Sequence, residues 1–288
     1  MKKFRVFALC CALFLLAGCA PKGTADDGKL HILATTYPVY LFTTAVTDGV
    51  EGVQVDLLVN EQVSCLHNYT LTVTDMKAIE NADVVMMSGV GLEDFMSDAL
   101  AQSDATAVDC SENVALLTLG SEGSDPHIWM DPNRAVTMTE NIKNALAAAD
   151  SGNAAIYEAN FTAAKTAVTE WLAAAPAVPD GALITFHDGF QYFSQAFHLT
   201  LLKSIEEEEG AETSAAEIRE IVALIGEHQV PAIFTEQNGS TATADAISRE
   251  CGVKVAQLNM IMSGEGTGMA PYLTAMDENI KTIAEALA

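Results

Sequence analysis

From position 29 onward, apolar residues fall into two alternating patterns. Short blocks rich in β-branched and apolar residues, closed by polar or turn-forming ones, read as strands at 30–36 (LHILATT), 53–59 (VQVDLLV) and 83–88 (DVVMMS). Between them, 71–81 and 92–102 carry apolar residues at helical spacing. The alternation returns in the second half, with strands at 182–186 (ALITF), 199–202 (LTLL), 232–235 (AIFT) and 254–258 (KVAQL). Helices are predicted there at 189–197, 214–229, 241–251 and 271–286. Two halves built this way predict an α/β chain with two small parallel sheets, each flanked by helices.

The middle of the chain differs. Positions 133–149 form one helical pattern and 153–175 another, in which Ile156, Asn160, Ala163, Ala167, Trp171 and Ala175 step by three or four. At about 1.5 Å per residue the second helix would be roughly 35 Å long, enough to reach from one lobe to the other. The run PAVPDG at 176–181 then stops it, because Pro removes a donor and Gly permits a turn. The expected organisation is an N-terminal α/β lobe at 29–150, a linking helix at 151–178 and a C-terminal α/β lobe at 179–288. No solenoid-type repeat is visible. The acid run at 206–209 reads as a solvated loop.

Residues 1–18 stand outside this pattern. A basic start (MKKFR), an apolar run at 6–16 and the closing LAGC have the order of a secretory signal peptide. The apolar run is too short for an ordinary transmembrane helix. LAGC resembles the bacterial lipobox, which implies that Cys19 becomes the lipid-modified N-terminus and 19–28 a polar tether. The chain is therefore expected outside the cytoplasm, anchored to the bacterial cell membrane by lipid.

Of 288 residues, 50% are hydrophobic, so a well-filled core is expected. Fourteen Lys and Arg against 39 Asp and Glu give a formal charge of −25. Loss of residues 1–18 removes three basic residues and no acid, leaving 11 against 39, or −28. Such a surface repels phosphate backbones, so nucleic acid is not an expected partner. Past Cys19 only Cys65, Cys110 and Cys251 remain. They permit at most one disulfide and contain no C-x-x-C pair for a thiolate zinc site.

Six histidines are present, and His31, His198 and His228 have ordinary places at strand starts or a helix end. The other three share a setting. His67 follows a strand across a loop, His127 precedes Asp131-Pro132, and His187 comes directly after ITF. Parallel sheets bind ligands beyond the carboxyl ends of their strands, and imidazoles gathered there suit zinc best among common divalent ions. With spacings this long, the fold must assemble any such site in the cleft between lobes.

The local sequences are more specific. CLHNYTL at 65–71 with MKAIENADVV at 76–85, DPHIWMDP at 125–132, TFHDGFQYF at 185–193 and IFTE at 233–236 occur in order over nearly the whole mature chain. Together they resemble the zinc/manganese ABC-transporter solute-binding proteins. The resemblance implies two Rossmann-like lobes joined by a long rigid helix, a metal held in the interdomain cleft, and delivery of that metal to the permease and ATPase subunits of an importer. It carries His67, His127 and His187 over as ligands. Manganese-type members place a carboxylate where this chain has His187, so the third imidazole favours Zn2+ over Mn2+. The fourth position is open. The family often draws a carboxylate from the loop before the last helix, where alignment on Tyr272 puts Ala270, and some zinc-type members use a Glu where this chain has Leu66. Glu236 at a strand end is the first candidate, followed by Glu265, Cys65 or water. Asp125 and Asp131 read as loop-shaping or as orienting an imidazole, and Trp129, Tyr69 and Phe186 as packing around the site.

The expected role is a monomeric receptor and not an enzyme. Three histidines with an open position could also hold a catalytic water. The chain has neither an H-E-x-x-H helix nor a G-x-S-x-G elbow to support a hydrolase. A surface adhesin with a structural metal is the other class that lipid anchoring would suit.

Overall fold

The computed structural model describes residues 27–60, 66, 69–118, 123–206 and 214–288. The expected signal peptide, Cys19, Cys65 and His67 lie outside the described residues, as does most of the acid run.

In the first half, strands β1 (Leu30–Ala34), β2 (Val53–Leu57), β3 (Val84–Met87) and β4 (Thr106–Asp109) form a parallel sheet in the order β2-β1-β3-β4. In the second, β5 (Ala182–His187), β6 (Thr200–Glu206), β7 (Ala232–Glu236) and β8 (Lys254–Leu258) form another in the order β6-β5-β7-β8. Both orders reverse direction beside the first strand of the half. That places a ligand crevice at the carboxyl ends of β1 and β3 in one lobe, and of β5 and β7 in the other. β7 is buried along its whole length, as a central parallel strand covered on both faces must be.

Several helices start at residues whose side chains cap them. Thr72 and Asp75 close a reciprocal capping box on α2 (Val73–Asn81), and Ser214 with Glu217 does the same on a helix at Ala215–His228. Asp131 accepts from the backbone N–H of Asn133, and Pro132 opens the long helix at Pro132–Ala149.

Three elements differ from the sequence reading. Helix α1 (Tyr37–Val46) has no counterpart in it. Pro38 sits in its first turn, where a missing N–H costs nothing, and its apolar residues are buried nearly all round, which erases the one-sided periodicity. β4 is only four residues long and mostly exposed, so its apolar signal is weak. The helix expected at 92–102 is broken into a 3-10 turn at Asp94–Met96 and a short α-helix, α3 (Ser97–Leu100).

The helix Pro132–Ala149 is α4, and the linking helix is α5 (Ala154–Ala174), 21 residues or about 32 Å long. Near its start, the Asn160 side chain donates to the carbonyls of Val46 and Asp48 at the end of α1. Near its end, the indole N–H of Trp171 donates to Asp277 on the last helix, at Met269–Leu287, 2.7 Å away. The apolar core follows the same path: one continuous cluster takes in Ile32 and Phe42 of the first lobe, Trp129 and Tyr157, and Phe193, Tyr272 and Ile280 of the second. A smaller cluster around Ile184, Phe186, Ile221 and Ile247 lies beneath the helices of the second lobe.

Trp129 joins the lobes most directly. It is fully buried, its indole N–H donates to the carbonyl of Met260 at 2.9 Å, and its own carbonyl accepts from the Tyr272 hydroxyl at 2.8 Å. The change Trp129→Ala is expected to cost about 3–5 kcal/mol by opening a cavity in the shared core. Chemical denaturation followed by circular dichroism checks this, and a loss under about 1 kcal/mol would show that the contact is dispensable.

Candidate metal centre

Two imidazoles meet between the lobes. His127 arrives on the loop from β4 to α4, and His187 is the last residue of β5; their Nε2 atoms are 3.2 Å apart, with the rings nearly perpendicular. Both are almost fully buried, at 2% and 1% exposure.

His127 is held on every side. Asp125 accepts from both its backbone N–H and its ring Nδ1, each at 2.8 Å, and the Asp125 carboxylate is itself buried. A carboxylate here is an acceptor only, so Nδ1 carries the proton and Nε2 presents a lone pair toward His187. The Trp129 indole packs edge-on against the His127 ring, with 5.4 Å between ring centroids. Opposite, Gly189 leaves room that a side chain would take, since a Cβ at this position would lie 3.0 Å from the ring carbon Cδ2 of His127 and 2.1 Å from the Met260 methyl.

The loop beneath His127 is fastened to the second lobe. Asp125 N–H donates to the Leu117 carbonyl, and Thr118 bridges Ser124, closing the loop's base. The Tyr192 hydroxyl, on helix Gln191–Ala196 just after His187, accepts from Leu117 N–H and donates to the Asp125 carbonyl, both at 2.9 Å. Burial of this phenol holds its proton on. The Arg134 guanidinium lies over the Tyr192 ring, pairs with Asp131 and donates to the Gln195 side chain of the same helix.

Asp188 is the carboxylate beside the two rings. Its Oδ1 is 3.7 Å from His187 Nε2, and among the described residues His127, His187 and Asp188 offer donor atoms within 4.8 Å of one another. Asp188 has no role in the expectations from sequence, and strand alternation turns the residue after a strand-borne ligand to the opposite face. β5 ends at His187, so Asp188 lies just past the strand, where that alternation no longer applies.

The other expected ligands are placed differently. Glu236 ends β7 and is buried, and its carboxyl group packs over Gly239. The pairing of Thr185 with Phe234 sets it level with His187, two residues further along each strand. Glu265 is exposed on the loop before the last helix, and lines an open cleft of about 580 Å³ with Tyr37, Ala270 and Glu278. Cys110 and Cys251 are free thiols, and burial pushes the Cys110 thiol well up.

In the N-terminal lobe the equivalent crevice is filled from within. Glu93 accepts from the Thr35 hydroxyl at the end of β1 and from the backbone N–H groups of Ser88 and Gly89 after β3, at 2.6–3.0 Å. Burial raises the pKa of this carboxyl while its three donors pull it back.

The model of the family described as "ZnuA: Zinc-uptake complex component A periplasmic" matches residues 32–286. The chain belongs to this family. The zinc-binding lipoprotein AdcA of Streptococcus pneumoniae is 29% identical over 99% of this chain, which spans 61% of that protein's length. The high-affinity zinc uptake system protein ZnuA of Bacillus subtilis is 26% identical over 98% of this chain and 97% of its own. Among solved structures, the solute-binding protein FpvC of Pseudomonas aeruginosa in complex with Mn2+ shares 25% identity at a TM-score of 0.80, covering 90% of this chain and 98% of its own. The family and the two-lobe α/β fold expected from the sequence motifs are both borne out.

Gly189→Ala tests how tightly His127 is seated. The expected result is a loss of about 1–3 kcal/mol from overpacking, together with a displaced His127 ring resonance in the NMR spectrum. An unchanged resonance would mean that the Met260 methyl alone absorbs the added carbon.

Proposed function

We propose that this chain is an extracytoplasmic receptor that captures Zn2+ with His67, His127 and His187 and delivers it to the permease of an ABC importer. One observation carries the reading: two buried imidazoles from different lobes bring their Nε2 atoms within 3.2 Å of one another. Nitrogens bound to one tetrahedral zinc at 2.0–2.1 Å are about 3.4 Å apart. The pair thus stands close to the spacing the ion needs, and an all-nitrogen start favours zinc over manganese. His67 enters from the sequence motif at 65–71.

Membership of a family described as the periplasmic component of a zinc-uptake complex supports the transport role. The leader ending in LAGC supports attachment to the membrane through lipid on Cys19. No helix among the described residues is long and apolar enough to cross a membrane.

Native mass spectrometry of the purified chain with zinc and manganese in competition is expected to show one bound zinc. Retention of manganese in preference would overturn the choice of metal. In calorimetric titrations, His67→Ala, His127→Ala and His187→Ala should each weaken zinc binding by more than the ~10–100-fold that loss of an outer partner costs. Unchanged affinity in any one of them removes that residue from the site. Binding should also weaken as pH falls from about 7.5 to about 5.5, because a protonated imidazole has no lone pair to give. A flat profile would contradict a histidine site.

A further inference from the structure

The geometry points to Asp188 as an oxygen ligand of the captured ion, seated beside His127 and His187. This rests on the reading of the paired imidazoles as a metal site and extends it to a residue that reading does not use.

Asp188 Oδ1 lies 3.7 Å from His187 Nε2, which is too long for a hydrogen bond. An oxygen and a nitrogen bound to the same tetrahedral zinc are about 3.4 Å apart, so the carboxylate has only a few tenths of an ångström to close. The same oxygen is buried and accepts no hydrogen bond, although its side chain is only 14% exposed. A buried carboxylate oxygen without a donor is costly in an empty protein and is satisfied once a cation arrives. Asp125, the other carboxylate at the site, is already committed through Oδ1 to His127 Nδ1 and N–H, on the far side of that ring from His187. Glu236 does not fall within the group of donor atoms that Asp188 forms with the two imidazoles.

A carboxylate on the ion changes what the site selects. It cancels one of the two positive charges inside a buried cleft, and it adds a hard oxygen to soft nitrogens, which narrows the margin between zinc and manganese.

The test compares the full chain with Asp188→Asn and Asp188→Ala, reading zinc and manganese affinity and the visible spectrum of the cobalt-substituted protein. Asn keeps the shape and the hydrogen-bonding capacity and loses the charge. Ligation predicts that Asn fails to rescue: both variants lose at least ~10-fold in zinc affinity, manganese binding falls further, and the cobalt bands shift. Near-native affinity and spectrum in Asp188→Asn, with a defect confined to Ala, would show a positioning role and overturn the proposal while leaving the zinc reading intact. A wild-type chain that holds no zinc would overturn both. Thermal unfolding of each metal-free variant separates a folding defect from loss of the ligand.

Discussion

The indole N–H of Trp129 crosses from the loop that carries His127 to the backbone carbonyl of Met260, and the Tyr272 hydroxyl returns to the carbonyl of Trp129. This pair of buried hydrogen bonds fixes the first lobe's contribution to the cleft on the framework of the second. The candidate metal centre inherits that constraint. His127 faces His187 at hydrogen-bond distance, and the residue two positions on is bonded to the other lobe. Unsatisfied, these polar groups would each cost about 1–3 kcal/mol, so slippage is opposed by the same groups that set the alignment.

The wider architecture reinforces this. A core continuous through both lobes, and a 21-residue helix bonded to α1 at one end and to the last helix at the other, leave little freedom for a hinge. The two imidazoles are consequently set in place in advance. Preorganisation of this kind lowers the ordering cost on binding, and affinity then comes from the donor set and its electrostatics. Asp125 and Tyr192 show how far it extends: a hydroxyl of the second lobe holds the base of the loop whose carboxylate sets the tautomer of His127.

Much of this was legible in the residues. Central strands such as AIFT and ALITF announce themselves because burial on both faces demands unbroken apolar runs. α1 was hidden for the opposite reason, since a helix buried all round has no polar face to give it a period. The site divided in the same way. His127 and His187 stand at loop and strand ends where α/β topology places ligands, and the orienting role of Asp125 follows from the short polar turn around His127. Asp188 was not legible, because its direction depends on β5 ending at His187, and past a strand's end the alternation of faces no longer sets where a side chain turns.

The near-complete burial of the two imidazoles has a kinetic meaning. Under the proposed function, an ion held between rings that are 2% and 1% exposed would be released by a parting of the surfaces around it. Those surfaces are joined by Trp129 to Met260, Tyr192 to Asp125 and Arg134 to Gln195. Residence time would then depend on the cohesion of the lobes as well as on the strength of the proposed bonds to the metal. Under the proposed transport role, a permease that prises at this seam would discharge the ion without altering a single ligand.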